Sequence, residues 1–244
     1  MRKFKQRIEK DIQEYPRIQT FLTTVHDAFS KTINPHRPVP VYEDIGAAYF
    51  LIPKAATRSI NYVFLKKTTG FEPDEIGREK QRYEQPFREA MNLDIFKFSF
   101  VRNPFSRLVS CYKDKIHRRS SVTKKYFGLL RDVSFKTFVR RINRIPVRYM
   151  ERHFKPQHAL LSCKGELQPE YIGRIEVLEE DFQQVQDECD VTFPPRLNST
   201  KKEKDWRAYY DRETARITYE IYEKDCDEWY HDAYEEILTF IDNQ

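Results

Sequence analysis

The sequence predicts a single α/β domain built on a parallel sheet. Three observations carry that prediction. Residues 47–52 (AAYFLI) form an apolar run that stops at Pro53 and leads into a helical pattern. Residues 95–101 (IFKFSFV) are rich in strand formers and stop at Asn103-Pro104, ahead of a second helix. Residues 171–178 (YIGRIEVL) resemble a third strand, ahead of an acidic helix. Strand–turn–helix units in series bring parallel strands side by side with helices packed on their faces.

Taken in order, residues 1–30 place Ile8, Ile12, Phe21, Val25 and Phe29 near helical spacing, with Pro16 as a break. Residues 34–40 (NPHRPVP) hold three prolines and read as a connector. Residues 1–40 are therefore expected to be an N-terminal helical extension and connector of one domain spanning 1–244. Residues 58–67 read as a helix burying Ile60, Val63 and Phe64, while the polar stretch 70–90 specifies no element. Residues 105–117 are helical, with Leu108, Val109, Tyr112 and Ile116 in one stripe. Ser134 can cap a helix running to residue 143 that buries Phe135, Phe138, Val139 and Ile142. An acidic helix is expected at 179–188 and a loop at 192–202. The remainder reads as an acidic helical C-terminus with an aromatic face of Tyr209, Tyr219, Tyr222, Trp229 and Tyr234.

Composition narrows the class. With 39% hydrophobic and 14% aromatic residues, the chain is not a disordered one. The longest apolar run, 47–52, is far too short to span a bilayer. The charged start, MRKFKQRIEKDIQEYP, has no apolar secretory core. No integral membrane segment is expected, and the expected compartment is the cytoplasm, or a lumen if the chain is a trimmed domain. Cys111, Cys163, Cys189 and Cys226 form no CxxC pair and have no finger spacing, so reduced thiols and no structural zinc are expected. The formal net charge of +5 conceals a separation. Residues 102–155 hold 16 basic and 3 acidic residues, a net +13, and residues 203–244 hold 5 and 13, a net −8. The basic middle is where an anionic ligand is expected.

Two strand-to-helix turns carry chemistry. The first is YFLIPKAATRS, residues 49–59. A helix N-terminus presents unpaired N–H groups to an anion. Lys54 adds a point charge, and Thr57 and Ser59 add hydroxyls. Alternatively, a hydroxyl merely caps the helix and Lys54 is solvated, and both readings stand on this segment alone. It is not a Walker A loop, since residues 53–59 contain no glycine. The second turn is FSFVRNPFSRLVSCYKDK, residues 98–115. Arg102 ends a strand, and Ser106 and Ser110 share one face of the following helix. Arg102 and Ser110 could grip one phosphate, or the helix could be an ordinary basic one.

Together PKAATRS and FVRNPFSRLVSCYKDK resemble the two signature segments of sulfotransferases that use 3′-phosphoadenosine 5′-phosphosulfate (PAPS). The similarity is closest to the carbohydrate sulfotransferases that modify chondroitin, dermatan and related glycans. RHFKPQHALL (152–161), YIGRIEVLEED (171–181) and PRLNST (195–200) resemble further family segments in the same order. The resemblance covers roughly residues 49–230. It implies a P-loop-NTPase-like sulfotransferase fold, with a central parallel sheet flanked by helices. It implies that Lys54 contacts the 5′-phosphosulfate and stabilises the leaving oxygen. Ala55, Ala56, Thr57, Arg58 and Ser59 would supply backbone amides, with hydroxyls from Thr57 and Ser59. Arg102 and Ser110 would hold the 3′-phosphate, and Asn198 and Ser199 would lie in a loop over the nucleotide. Arg58 departs from the pattern, where many relatives carry a small hydroxyl residue.

The implied reaction is in-line transfer of a sulfuryl group from PAPS to a carbohydrate hydroxyl. Fixed cations and N–H groups serve the developing charge without a metal. Among six histidines, His153 is the candidate general base, beside a structural or substrate-contact role; His117 is second. Glu176 and Glu180 read as structural. Arg118, Arg119, Lys124, Lys125, Arg140, Arg141, Arg144 and Arg148 could line a groove for an anionic glycan. They could equally form a solvated face, or meet the acidic C-terminal helices. Two other readings remain. A nucleotide-phosphate kinase would need a Walker A glycine pair and a magnesium-binding acid. A non-catalytic polyanion-binding module would leave the turn at Pro53 unexplained; nucleic acid is not the expected partner.

Overall fold

The computed structural model describes residues 38–117, 130, 132–195, 197 and 205–243. The expected helix over 1–30, and Asn198 and Ser199, lie outside the described residues. The strands are β1 (Pro38–Tyr42), β2 (Ala47–Tyr49), β3 (Glu84–Pro86), β4 (Phe96–Val101), β5 (Ser162–Cys163), β6 (Glu166–Leu167) and β7 (Tyr171–Arg174). The α-helices are α1 (Thr57–Thr69), α2 (Ile76–Glu79), α3 (Phe87–Ala90), α4 (Pro104–Cys111), α5 (Phe135–Ile142), α6 (Gln157–Leu161), α7 (Leu178–Cys189), α8 (Arg212–Trp229) and α9 (Ala233–Asp242).

The central sheet has the order β3-β1-β2-β4-β7. Its three expected strands, β2, β4 and β7, run parallel, with Tyr49 opposite Phe98 and Phe100 opposite Gly173. β2 ends at Tyr49 rather than Ile52, and β7 ends at Arg174, with residues 175–177 in a 3-10 turn rather than in the strand expected over 171–178. The sheet as a whole is mixed, not parallel as expected, because β1 pairs antiparallel with both β2 and β3. The reading of residues 34–40 as a connector is corrected at its end, since Pro38 opens β1. Proline lacks the N–H that a fully paired strand needs. Here Pro38 and Pro40 fall in the half of β1 that pairs with β3 alone, and Val41–Tyr42 pairs with β2. A tight turn ending at Gly46, φ 72°, joins β1 to β2. The polar stretch 70–90 supplies α2, α3 and the short edge strand β3.

Alternation along the strands divides two cores. Ala47, Tyr49, Phe98 and Phe100 face a layer formed by Ile60, Val63 and Phe64 of α1 and Phe182 and Val185 of α7. Tyr49 stacks on Phe98 at 5.1 Å, and Phe64 stacks on the same ring at 5.3 Å. Ala48, Phe50 and Val101 face the other side, against Phe87, Leu160 and Leu161. Gly173 lets β7 approach β4, since a Cβ there would sit 2.5 Å from the Phe100 ring. A third core joins α4, α5, α8 and α9 around Phe105, Phe138, Phe154 and Tyr222. The acidic helical C-terminus therefore packs directly on the helix that leaves β4. Among the described residues no helix is long and apolar enough to cross a membrane.

Candidate active site

The two turns leave adjacent parallel strands at the same edge. Beyond β2, Ala55 N–H donates to the Ile52 carbonyl at 3.2 Å, closing a tight turn. Lys54 (φ 75°) and Ala56 (φ 49°) both adopt the left-handed region that favours glycine. Such outliers concentrate where a backbone must serve a ligand. Ala56 is the N-cap of α1 and carries no side-chain oxygen, so no side-chain cap covers the first amides of the helix. Thr57 does not cap either; its hydroxyl donates to the Ile52 carbonyl at 2.9 Å. The Ala55 amide and the Thr57 hydroxyl, both expected to face a ligand, are thus committed to the turn itself. Ser59 Oγ accepts from Leu197 N–H at 3.4 Å, which brings Leu197 to the start of α1. Arg58 is exposed and lines a cavity of about 240 Å³ with Thr57, Asn61, Glu75 and Lys80.

Beyond β4, Asn103 caps α4 by accepting from Phe105 N–H and Ser106 N–H, and Pro104 takes the first helical position. Arg102 Nε donates to Ser106 Oγ at 2.9 Å, and its Nη1 donates to the Lys54 carbonyl at 3.2 Å. The two turns thus meet. Ser110, half-buried, lies one helical turn beyond Ser106. Lys54 Nζ pairs with Asp114 Oδ2 at 2.9 Å. Burial would raise the Asp114 carboxyl, but the hydrogen bonds and charges of Lys54 and Lys115 hold it below its ordinary value.

His153 Nδ1 lies 2.8 and 3.0 Å from the two carboxylate oxygens of Glu151, whose Oε2 also accepts the His153 N–H at 2.8 Å. Glu151 is buried. With the Nδ1 proton facing the carboxylate, Nε2 is the basic nitrogen. Arg107, 1% exposed, ties this segment to the first turn. It donates to the carbonyls of Pro53 at 3.1 Å, Lys155 at 2.9 Å and Arg152 at 3.0 Å. Tyr222 on α8 donates to the Phe154 carbonyl at 2.6 Å. Arg107, Glu151 and Asp114 were not singled out by sequence. Arg107 left one trace, a cation three residues after Pro104 and four before Cys111, on the helix's buried side.

The basic surplus is partly internal. Arg140 is held in a two-point contact by Glu213, at 2.6 and 2.7 Å, as one of the alternatives for these residues foresaw. Arg148 lies over the Tyr149 ring. Arg118, Arg119, Lys124 and Lys125 lie outside the described residues. All four cysteines are free thiols. Burial pushes Cys111, Cys189 and Cys226 up to about 12, which leaves them poor nucleophiles.

A parallel-sheet edge with two cation-bearing strand-to-helix turns is an arrangement that suits a phosphate- or sulfate-bearing ligand. Residues 40–231 match the model of the sulfotransferase family. The chain belongs to that family, a family of transferases that move sulfuryl groups. Neither the curated proteins nor the solved structures include a match to the chain.

Proposed function

We propose that this chain is a PAPS-dependent O-sulfotransferase whose acceptor is a carbohydrate hydroxyl, on an anionic glycan of the chondroitin or dermatan kind. One observation carries the donor assignment: the Arg102 guanidinium reaches the Lys54 carbonyl, so the two phosphate-type turns form one continuous donor site. The donor set fits a nucleotide with two separated anionic groups. It offers an uncapped helix start and a lysine at one end, and an arginine with Ser110 at the other. The acceptor class rests on the resemblance of 152–161 and 171–181 to carbohydrate sulfotransferases, and on the basic surplus of 102–155.

Bound PAPS would supply the activated sulfuryl group: the acceptor oxygen bonds to sulfur as the bond from sulfur to the 5′-phosphate oxygen breaks, and that oxygen leaves with the electron pair on adenosine 3′,5′-bisphosphate. Lys54 places a positive charge beside that oxygen, and the first amides of α1 orient the phosphate. Arg102 and Ser110 hold the far phosphate and fix the nucleotide along the sheet edge. His153 Nε2 takes the acceptor proton while Glu151 stabilises the imidazolium that forms. Thermal unfolding with adenosine 3′,5′-bisphosphate tests the donor site. A ligand at a hundred times its Kd adds about 2.7 kcal/mol of stability. Lys54→Ala and Arg102→Ala should each shrink the rise in Tm. No rise at millimolar nucleotide in the wild type would sink the donor assignment. Labelled sulfate transfer from PAPS to chondroitin, dermatan and an uncharged glycan then separates the acceptors.

A further inference from the structure

Arg102 is held from behind by groups that lie outside the two donor turns. Strand β4 ends at Val101, so the sheet ladder no longer pairs the Arg102 backbone. Gln157, fully buried at the start of α6, takes over that role. Its Oε1 accepts the Arg102 N–H at 2.9 Å, and its Nε2 donates to the Arg102 carbonyl at 2.8 Å. A side-chain amide thereby makes the two-bond pairing that a neighbouring strand would make. Gln157 is itself fixed from α8. Asp225, fully buried, accepts the Gln157 N–H and the His158 N–H, each at 2.8 Å. Burial raises the Asp225 carboxyl, while these two amides and the charge of Arg107 oppose the rise. The next residue is gripped in the same way. Asn103 N–H donates to Glu176 Oε1 at 2.8 Å, and Glu176 Oε2 accepts from Tyr230 OH at 2.7 Å.

We propose that Gln157, set in place by Asp225, is a positioning residue for recognition of the nucleotide's 3′-phosphate. It acts through the Arg102 backbone and touches no ligand. The arginine must reach Ser106 and the Lys54 carbonyl at once, so a small shift of its Cα costs one contact or the other. Through Asp225 the acidic C-terminal helix contributes to donor selectivity from the far side of the sheet edge. The proposal rests on the reading of Arg102 as the 3′-phosphate ligand, and the test separates the two.

The probes are adenosine 3′,5′-bisphosphate and adenosine 5′-phosphate, titrated calorimetrically into wild type, Gln157→Met and Asp225→Asn. Methionine nearly matches glutamine in shape and offers Arg102 no amide. In both variants the bisphosphate should bind about tenfold more weakly, with the 5′-phosphate changed less than about twofold. A merely structural loss would weaken both nucleotides alike, and that result overturns the proposal, as does an unchanged ratio. A wild type indifferent to the 3′-phosphate would instead overturn the assignment of Arg102. If neither variant folds, amide hydrogen exchange on the wild type decides. The Arg102 N–H should exchange as slowly as the β4 amides, and fast exchange there would refute the clamp.

Discussion

His153 Nδ1 meets the Glu151 carboxylate at two oxygens, and in the proposed reaction the other ring nitrogen takes the acceptor proton. Glu151 lies two residues before the histidine and is buried, so its charge acts at short range with little screening. Replacing it separates orientation from charge. Glu151→Gln keeps an oxygen to accept the Nδ1 proton but removes the charge that stabilises the imidazolium. We expect transfer at saturating donor and acceptor to fall by about tenfold to a hundredfold, with nucleotide affinity unchanged. His153→Ala should lose more, about a hundredfold or beyond, since a general base contributes on that scale. Single-turnover rates with labelled PAPS measure both. Equal turnover in wild type and His153→Ala would remove the imidazole as base and leave Glu151 a structural partner.

At the scale of elements, the turn between β2 and α1 is the informative one. Two non-glycine residues in the left-handed region, with a single residue between them, are an expensive way to connect a strand to a helix. A left-handed residue with a Cβ costs roughly 1–2 kcal/mol, and the extra freedom of glycine in the unfolded chain returns about half of that. Ala56→Gly should therefore stabilise the protein by about 0.5–1 kcal/mol, seen as a higher denaturant midpoint at unchanged m. A lower midpoint would show that the Ala56 methyl contributes packing that outweighs its backbone strain. The sequence revealed this turn only in outline. Pro53 and the apolar run before it pointed to a strand reaching Ile52, whereas β2 ends at Tyr49, and Lys54 pointed to an anion. The positive φ angles were hidden, because residues 53–59 carry no glycine to announce them. β1 and β3 were hidden as well, since prolines and a two- or three-residue pairing leave no alternating pattern. The supports of the site were the least legible. Gln157, Asp225 and Arg107 act across 45 to 68 residues of chain, and Asp225 is one acid among 13 in the C-terminal segment. Nothing local distinguishes it from its solvated neighbours.

Across the whole molecule, the basic middle and the acidic C-terminal segment turn out to neutralise one another in part. Lys136 of α5 pairs with Asp211 and Glu213 at the start of α8, at 2.7 and 2.9 Å, and Arg140 adds its two-point contact to Glu213. These four side chains clasp α5 to the helix that carries Asp225. Burial would raise the Asp211 carboxyl, but Lys136 and the amide and hydroxyl of Thr214 hold it down to about 2, from 3.8. Arg140 and Lys136 hold Glu213 down to about 2, from 4.5. Both carboxylates have depressed folded-state values. Their contribution to stability is therefore present above the unfolded values near 4 and is lost as pH falls through about 2. All four side chains are substantially exposed, so solvent and salt reduce the contribution. Asp225, with its raised carboxyl, works in the opposite direction over the acid range. A comparison at one pH would mix the two effects, whereas a difference between variants does not. The doubly substituted Asp211→Asn, Glu213→Gln protein should be less stable than wild type near pH 6 in low salt. As pH falls from about 5 to about 2 that gap should close, while Asp225 titrates alike in both. Added salt should narrow the gap at pH 6 and leave it unchanged at pH 2. Denaturation curves at four or five pH values measure it, and a gap independent of pH would show that the clasp carries no net electrostatic stability.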